Sequence, residues 1–129
     1  QGLDVDFVSL IKDKNILFEH IRLSSLFVFP SFNEGMSNML LEVVSLSVPV
    51  ICSNIAENKS IFDSDEVLFF DTGDADDLSK KIHWAYNNYA LMLEKAEMAY
   101  KKLETEYKLE IVAGKYSRIY DSLVKAKKV

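Results

Sequence analysis

The chain has 129 residues, of which 49% are hydrophobic, and a formal net charge of −5 at pH 7. This length allows one domain, residues 1–129, with a core of its own, and the acidic balance excludes nucleic acid as the main partner. One cysteine excludes a disulfide framework, and no apolar run approaches the roughly twenty residues that span a bilayer. We therefore expect a soluble domain in a reducing, cytoplasmic compartment.

Four short runs rich in Val, Ile, Leu and Phe predict strands at residues 5–10, 26–29, 49–53 and 67–70. Segments of helical length, residues 15–24 and 37–46, lie between the first three runs. Alternating strands and helices build parallel sheets, and strands that are apolar almost throughout require helices on both faces. The sequence therefore predicts an α/β domain with a Rossmann-like parallel sheet and flanking helices.

The C-terminal half is predicted to be helical. Asp74, Asp76 and Asp77 precede a segment with helical apolar spacing, and acidic side chains favour helix N-termini. Further amphipathic segments follow at residues 93–103 and 109–123. The tail from Lys108 onward carries six basic and two acidic residues. Those cations complement a helix C-terminus, or they contact an anionic membrane surface, which leaves a peripheral contact with the inner face of the membrane open.

The loop after the second predicted strand carries the candidate chemistry. The strand stops at Pro30, a polar turn with Gly35 follows, and a helix begins near Ser37. Ligands of open α/β sheets bind at the carboxyl ends of strands, and the first N–H groups of a helix suit a phosphate. We expect the amides of residues 36–39 to face a diphosphate. Gly35 has no side chain, so the backbone there can approach the diphosphate closely. Ser37 or Asn38 could instead simply cap the helix, and both roles can hold at once because capping uses only part of the N–H groups.

Two glutamates flank the start of this helix. Glu42 is the one charged residue in the apolar segment 39–46, so we expect it to be buried, where a carboxylate needs hydrogen-bond donors. Ribose hydroxyls are suitable donors; the alternative is an interaction with the N-terminus of its own helix. Glu34 lies in the loop. It either faces the same ligand site as Glu42 or is simply solvated.

Several short motifs follow one another along the chain: Phe29-Pro30-Ser31, Glu34-Gly35, Asn38 through Leu41-Glu42, Pro49-Val50-Ile51, Ser53-Asn54, Phe69-Phe70-Asp71 and Asp77-Leu78 with Ile82. Together they resemble the C-terminal domain of the family 4 retaining glycosyltransferases, which have the GT-B fold. The two glutamates, with seven residues between them, match the two-glutamate signature of that family. The resemblance covers most of the chain.

The resemblance implies transfer of a sugar from a nucleotide-diphosphate sugar to a glycan or lipid-linked acceptor with retention, in polysaccharide or lipopolysaccharide biosynthesis. It implies no bound metal and no cofactor, because the nucleotide sugar is a substrate. Glu34 would contact the donor sugar near the reaction centre, Glu42 would hold the ribose and Leu40 would flank the site. The base would lie near residues 10–12. The residues that would bind sugar and phosphate through their amides are Gly35, Met36, Ser37, Asn38 and Met39.

The chain also departs from the family pattern. Serine stands at positions 9 and 47, where the family usually has glycine. From the resemblance we expect two parts of the family's enzymes to lie outside this chain. They are the first strand-helix unit of the domain, with the Arg or Lys that meets the diphosphate, and the N-terminal acceptor domain. The helix at residues 109–123 would cross back to that domain. We therefore expect a fragment that transfers no sugar by itself.

Two other readings stay open. One is a nucleotide-sugar epimerase or phosphorylase of GT-B architecture, and the other is a non-catalytic α/β binding module in which Glu42 is structural. His20 and His83 are far apart and lack metal-ligand spacing, so we expect surface histidines and no metal site. Cys52 is predicted to be a buried strand residue, and no nucleophile is assigned.

Overall fold

A computed structural model of the protein describes residues 3–33 and 38–107. These residues form five helices and three strands, and a π-helical turn, Leu103–Tyr107, ends the described part. In chain order the elements are α1 (Lys14–Arg22), β1 (Phe27–Phe29), α2 (Asn38–Ser45), β2 (Val50–Ser53), α3 (Ala56–Ile61), β3 (Leu68–Phe70), α4 (Ala75–Asn87) and α5 (Tyr89–Lys102).

The three strands form one parallel sheet in the order β1-β2-β3. Phe27 pairs with Val50, and Cys52 pairs with Phe69. Each strand lies within one of the predicted apolar runs, and a helix lies between each strand and the next. The predicted α/β fold with a parallel sheet is therefore confirmed.

The sheet is covered on both faces, as its apolar strands require. Val50 and Cys52 pack with α2 on one face, where the helix buries Leu40, Leu41, Val43 and Val44. Ile51 lies on the other face and packs with Ala85 of α4 and Met92 of α5. Alternate residues of β2 thus enter opposite halves of the core, so all four of its residues are buried.

Aspartate side chains cap two of the helices. Asp13 accepts a hydrogen bond from the Asn15 N–H at the start of α1, and Asp74 accepts one from the Asp77 N–H at the start of α4, each at 2.9 Å. Each bond satisfies an N–H group that has no acceptor within the helix. The helix start that the aspartates predict near residue 74 is therefore confirmed.

The predicted strand at residues 5–10 does not form. Phe7 is 97% exposed and Leu10 is 83% exposed, and the segment has no regular structure. A strand needs a neighbour that supplies hydrogen-bond partners and a surface on which to bury its apolar side chains. Within residues 3–33 and 38–107, β1 pairs with β2 alone and no strand lies beside residues 5–10. Apolar content was therefore insufficient to make a strand.

The predicted helices agree with the structure apart from two differences. α5 begins at Tyr89, earlier than the predicted 93, and the short α3 was not predicted. The segment 109–123 lies outside the described residues. His20 on α1 and His83 on α4 are exposed, as expected. In the described ranges, no helix has the length and apolar character to cross a membrane.

Ser47 adopts a backbone conformation that is usual for glycine. It follows the end of α2 with a φ of 58°, and its N–H donates to the Val44 carbonyl at 2.9 Å. Helices commonly end with a glycine in this left-handed conformation, because a Cβ atom is strained there. Ser47 therefore forms the helix-ending turn that a glycine usually forms.

Replacing Ser47 by glycine is expected to stabilise the fold. Relief of the left-handed strain should raise the free energy of unfolding by about 1 kcal/mol, measured by urea denaturation. Ser45→Gly is the matched control, because it places glycine inside the last turn of α2 and should lower stability by about 1 kcal/mol. A loss of stability in Ser47→Gly would contradict this account of the turn.

Candidate functional site

The loops that leave the carboxyl ends of the strands lie together at one edge of the sheet. Phe32, in the loop after β1, lies against Gly73, in the turn after β3. A Cβ atom on Gly73 would stand 3.1 Å from Cε1 of the Phe32 ring, and the φ of Gly73 is 79°. Glycine is therefore required here both by the backbone conformation and by the close approach of the two loops.

A polar cluster joins the loops after β2 and β3. The Asn54 side chain donates to Oδ1 of Asp71 at 2.9 Å. The Oδ1 atom of Asn54 accepts a hydrogen bond from the Thr72 N–H at 3.0 Å and another from the Thr72 hydroxyl at 2.7 Å. The Asp71 N–H donates to Asp77 at 2.7 Å. These bonds fix the β3 turn relative to the end of β2.

A buried asparagine connects this edge to the loop after β1. Asn58 of α3 is fully buried, and its Nδ2 atom donates to the carbonyl of Ser53 at 2.9 Å and to the Ser53 hydroxyl at 3.3 Å. That hydroxyl in turn donates to the carbonyl of Ser31. Buried polar groups are retained where they are hydrogen-bonded, so the chain from Asn58 to Ser31 holds the start of the β1 loop in place.

Four of the predicted site residues, Glu34, Gly35, Met36 and Ser37, lie outside the described residues. The structure places the other four at the start of α2. Asn38 is the first residue of the helix and is exposed, and Met39 is half-buried against the core. Leu40 is fully buried and belongs to the core between α2 and the sheet.

Glu42 lies at the rim of the site, so the expectation that it is buried is wrong. Its side chain is 27% exposed, because α2 turns its apolar face to the sheet and leaves Glu42 on the side that faces α1. Asn38 and Glu42 are four positions apart and lie on the same face of the helix. The expectation that this carboxylate finds a donor is met by Lys14, whose Nζ atom lies 3.0 Å from Oε1.

Sequence reasoning missed Lys14, although one signal could have found it. Lys14 is the first residue of α1, where the helix dipole favours negative charge. A cation at that end contributes little to its own helix, which points to a partner elsewhere. The partner lies 28 positions away and could not be identified from local spacing.

Cys52 is a poor nucleophile, and the described residues contain no cluster that could hold a metal ion. Cys52 is buried in β2, and burial raises the pKa of its thiol to about 12, so the reactive thiolate is scarce at neutral pH. Within residues 3–33 and 38–107, no group of three or more His, Cys, Asp or Glu side chains is placed to hold a metal ion. Covalent catalysis by this thiol is therefore disfavoured.

The sequence comparison gives the family. Residues 1–88, more than half of the chain, match the family model described as glycosyl transferases group 1. The chain belongs to this family. It is also 23% identical, over an alignment of 129 residues, to the capsular polysaccharide biosynthesis glycosyltransferase CapM of Staphylococcus aureus, covering 93% of this chain and 34% of CapM. The chain spans about a third or less of the curated relatives that it matches.

Two solved structures share the fold. The sucrose-phosphate synthase of Thermosynechococcus elongatus aligns with a TM-score of 0.75 at 21% identity, covering 94% of this chain and 30% of the synthase. The C-terminal domain of the glycosyl transferase group 1 protein LpcC of Francisella tularensis aligns with a TM-score of 0.71, also at 21% identity, covering 80% of this chain and 53% of that domain structure. The fold is therefore that of the C-terminal domain of GT-B glycosyltransferases.

Truncation of the buried asparagine is expected to destabilise the domain. Asn58→Ala removes the donor to Ser53 and leaves a small cavity, which should lower the free energy of unfolding by about 2 kcal/mol in urea denaturation. Asn87→Ala, at an exposed position in α4, is the matched control and should change stability by less than about 0.5 kcal/mol. Equal effects of the two substitutions would show that the Asn58 bonds carry no net stability.

Proposed function

We propose that this chain is the donor-binding, C-terminal domain of a family 4 retaining glycosyltransferase and binds a nucleotide-diphosphate sugar. The observation that carries the proposal is the position of α2: its N-terminus opens at the carboxyl edge of the parallel sheet, with Glu42 one turn into the helix. Membership of the glycosyl transferases group 1 family supports the proposal. A nucleotide sugar is the substrate of this site, and neither a metal nor a cofactor is required.

The start of α2 suits the diphosphate. The first N–H groups of a helix have no acceptors within the helix, and its dipole adds positive potential at the same end. Asn38 stands there exposed, and the loop that precedes it begins at the position held by Ser53 and Asn58. The proposed anion site therefore consists of the amides of residues 36–39, with Gly35 allowing a close approach.

Glu42 suits the ribose. Oε1 accepts from Lys14, and no described residue forms a hydrogen bond with Oε2. A carboxylate oxygen at a partly exposed rim accepts hydroxyl donors, and hydrogen bonds to a charged acceptor are stronger than those between neutral groups. The second oxygen can therefore receive a ribose hydroxyl, while the diphosphate lies about one turn closer to the start of α2.

The proposed reaction breaks the bond between the anomeric carbon of the sugar and the diphosphate oxygen. The diphosphate departs with the electron pair, the acceptor oxygen bonds to the anomeric carbon on the same face, and the departing diphosphate takes up the acceptor proton. Preorganised amides at a helix N-terminus stabilise charge that develops on the leaving group. Glu34 contacts the donor sugar near the reacting carbon.

The whole enzyme in this proposal needs more than this chain. An N-terminal domain of the parent protein supplies the acceptor site, so the 129-residue chain alone transfers no sugar. The name of CapM, a capsular polysaccharide biosynthesis glycosyltransferase, supports a role in polysaccharide biosynthesis. The acceptor that we propose is a glycan or a lipid-linked glycan, in polysaccharide or lipopolysaccharide biosynthesis. We propose that the parent acts in the cytoplasm, in peripheral contact with the inner face of the membrane.

Titration of the chain with UDP-glucose, GDP-mannose and related donors, followed by NMR, tests donor binding. We expect amide shifts centred on residues 35–42 for at least one donor. Loss of a hydrogen bond to a charged group should weaken binding about tenfold in Glu42→Gln, and Glu34→Gln should weaken it through the sugar contact. Glu94→Gln, at an exposed site on α5, is the matched control and should bind as tightly as the wild type.

Two results would contradict the proposal. One is a folded chain in which no donor shifts any amide of this region. The other is donor binding that Glu42→Gln, Glu34→Gln and Glu94→Gln all leave unchanged, because the carboxylates would then have no part in it.

A further inference from the structure

One ion pair in the described residues involves a candidate site residue. Nζ of Lys14 and Oε1 of Glu42 lie 3.0 Å apart, with the lysine side chain 71% exposed and the glutamate 27% exposed. The other ion pairs of the described ranges involve Glu19, Glu66 and Glu97, none of which lies in the loops or helix start of the site. α1 thus contributes a cation to a site that is otherwise built on α2 and the sheet edge.

The stability of α1 does not explain Lys14. It is the first residue of the helix, where a positive charge opposes the dipole. An exposed lysine–carboxylate pair also contributes little to folding, because solvent screens the charges and two side chains must be ordered. The pair instead orients Glu42, because the Lys14 ammonium binds one of its carboxylate oxygens. The same ammonium lies 5.9 Å from the centre of the Phe18 ring on α1.

Electrostatics gives this cation a role in the proposed site. A nucleotide diphosphate is an anion, and Glu42 adds a further negative charge where the ribose would lie. Asp71, Asp74 and Asp77 stand at the same edge of the sheet. Like charges at close range oppose binding, whereas a neighbouring cation offsets the repulsion. Lys14 lies beside Glu42 and offsets the charge of that carboxylate.

We propose that Lys14 is a positioning residue for the nucleotide diphosphate, acting through Glu42. Its ammonium holds Oε1, so that Oε2 is presented to a ribose hydroxyl, and it offsets the charge of the carboxylate beside the anionic donor. This inference rests on the proposed donor site and adds a residue from outside the loop and helix that define it. Arginine can replace lysine in this role, whereas a neutral side chain cannot.

A double-mutant cycle tests the inference. Dissociation constants are measured by calorimetry for the wild type, Lys14→Gln, Glu42→Gln and the double variant, with UDP-glucose and GDP-mannose as probes. For the nucleotide that binds, Lys14→Gln should weaken binding about fivefold in the wild-type background and less than about twofold in the Glu42→Gln background. Lys14→Arg should restore binding to within about twofold of the wild type.

A matched control separates this role from a general effect of charge or folding. Lys101 forms an exposed ion pair with Glu97 on α5, away from the site, so Lys101→Gln should leave the dissociation constant unchanged. Thermal unfolding of Lys14→Gln should match that of Lys101→Gln, because both remove an exposed pair.

The outcomes distinguish this inference from the proposed function. If Glu42→Gln weakens binding but Lys14→Gln does not, the inference alone is overturned. It is also overturned if the two effects simply add in the double variant, since Lys14 would then act independently of Glu42. If the folded wild-type chain binds neither probe, the donor site and this inference are both contradicted.

Discussion

Parallel pairing of β1, β2 and β3 is the constraint on which the rest of the structure depends. Parallel strands place all their carboxyl ends at one edge, and each must be followed by a crossover that returns the chain to the opposite edge. The loops after the strands are therefore neighbours although they lie far apart in sequence. The contact of Phe32 with Gly73 and the bonds between Asn54 and Thr72 follow from this geometry. The packing of α2 on this sheet sets the position at which the helix begins.

The carboxyl edge of the sheet has one part that is buried and hydrogen-bonded and another part that is accessible to solvent. In the buried part, Asn58 and Ser53 fix the point where the β1 loop begins. In the accessible part, Asn38 and Glu42 lie on the exposed or half-buried face of α2, with Lys14 alongside. A ligand site needs both properties: backbone groups held by a scaffold, and charged groups that remain within reach of solvent and ligand. This division explains why the same helix supplies Leu40 to the core and Glu42 to the rim.

Local patterns predicted most of the fold. The apolar runs of β1, β2 and β3 and the aspartate that caps α4 each carry their signal within a few residues, and the structure confirms them. Residues 5–10 carried a similar apolar signal but form no strand, because strand formation depends on a neighbour that the local sequence does not describe. α3 was missed because its six residues are too few to show a helical period.

The site was less predictable than the fold for the same reason. The loop and the two glutamates stay a prediction made from their order in the sequence. The surroundings of Glu42 could not be predicted in this way, because they depend on how α1 packs beside α2. Lys14 lies 28 positions away, and neither its contact with Glu42 nor the partial exposure of that carboxylate follows from spacing. The hydrogen bonds of Asn58 were equally hard to predict, because they connect it through the Ser53 hydroxyl to Ser31, which is distant in sequence.

The most direct test of the central claim is a crystal structure of the chain with UDP or GDP bound. We expect the diphosphate within hydrogen-bond distance of the amides of residues 36–39. We also expect a ribose hydroxyl bonded to Glu42, with Lys14 still paired to the same carboxylate. A nucleotide bound elsewhere, for example in the groove lined by Trp84, Leu91 and Met98, with the start of α2 left empty, would contradict the central claim.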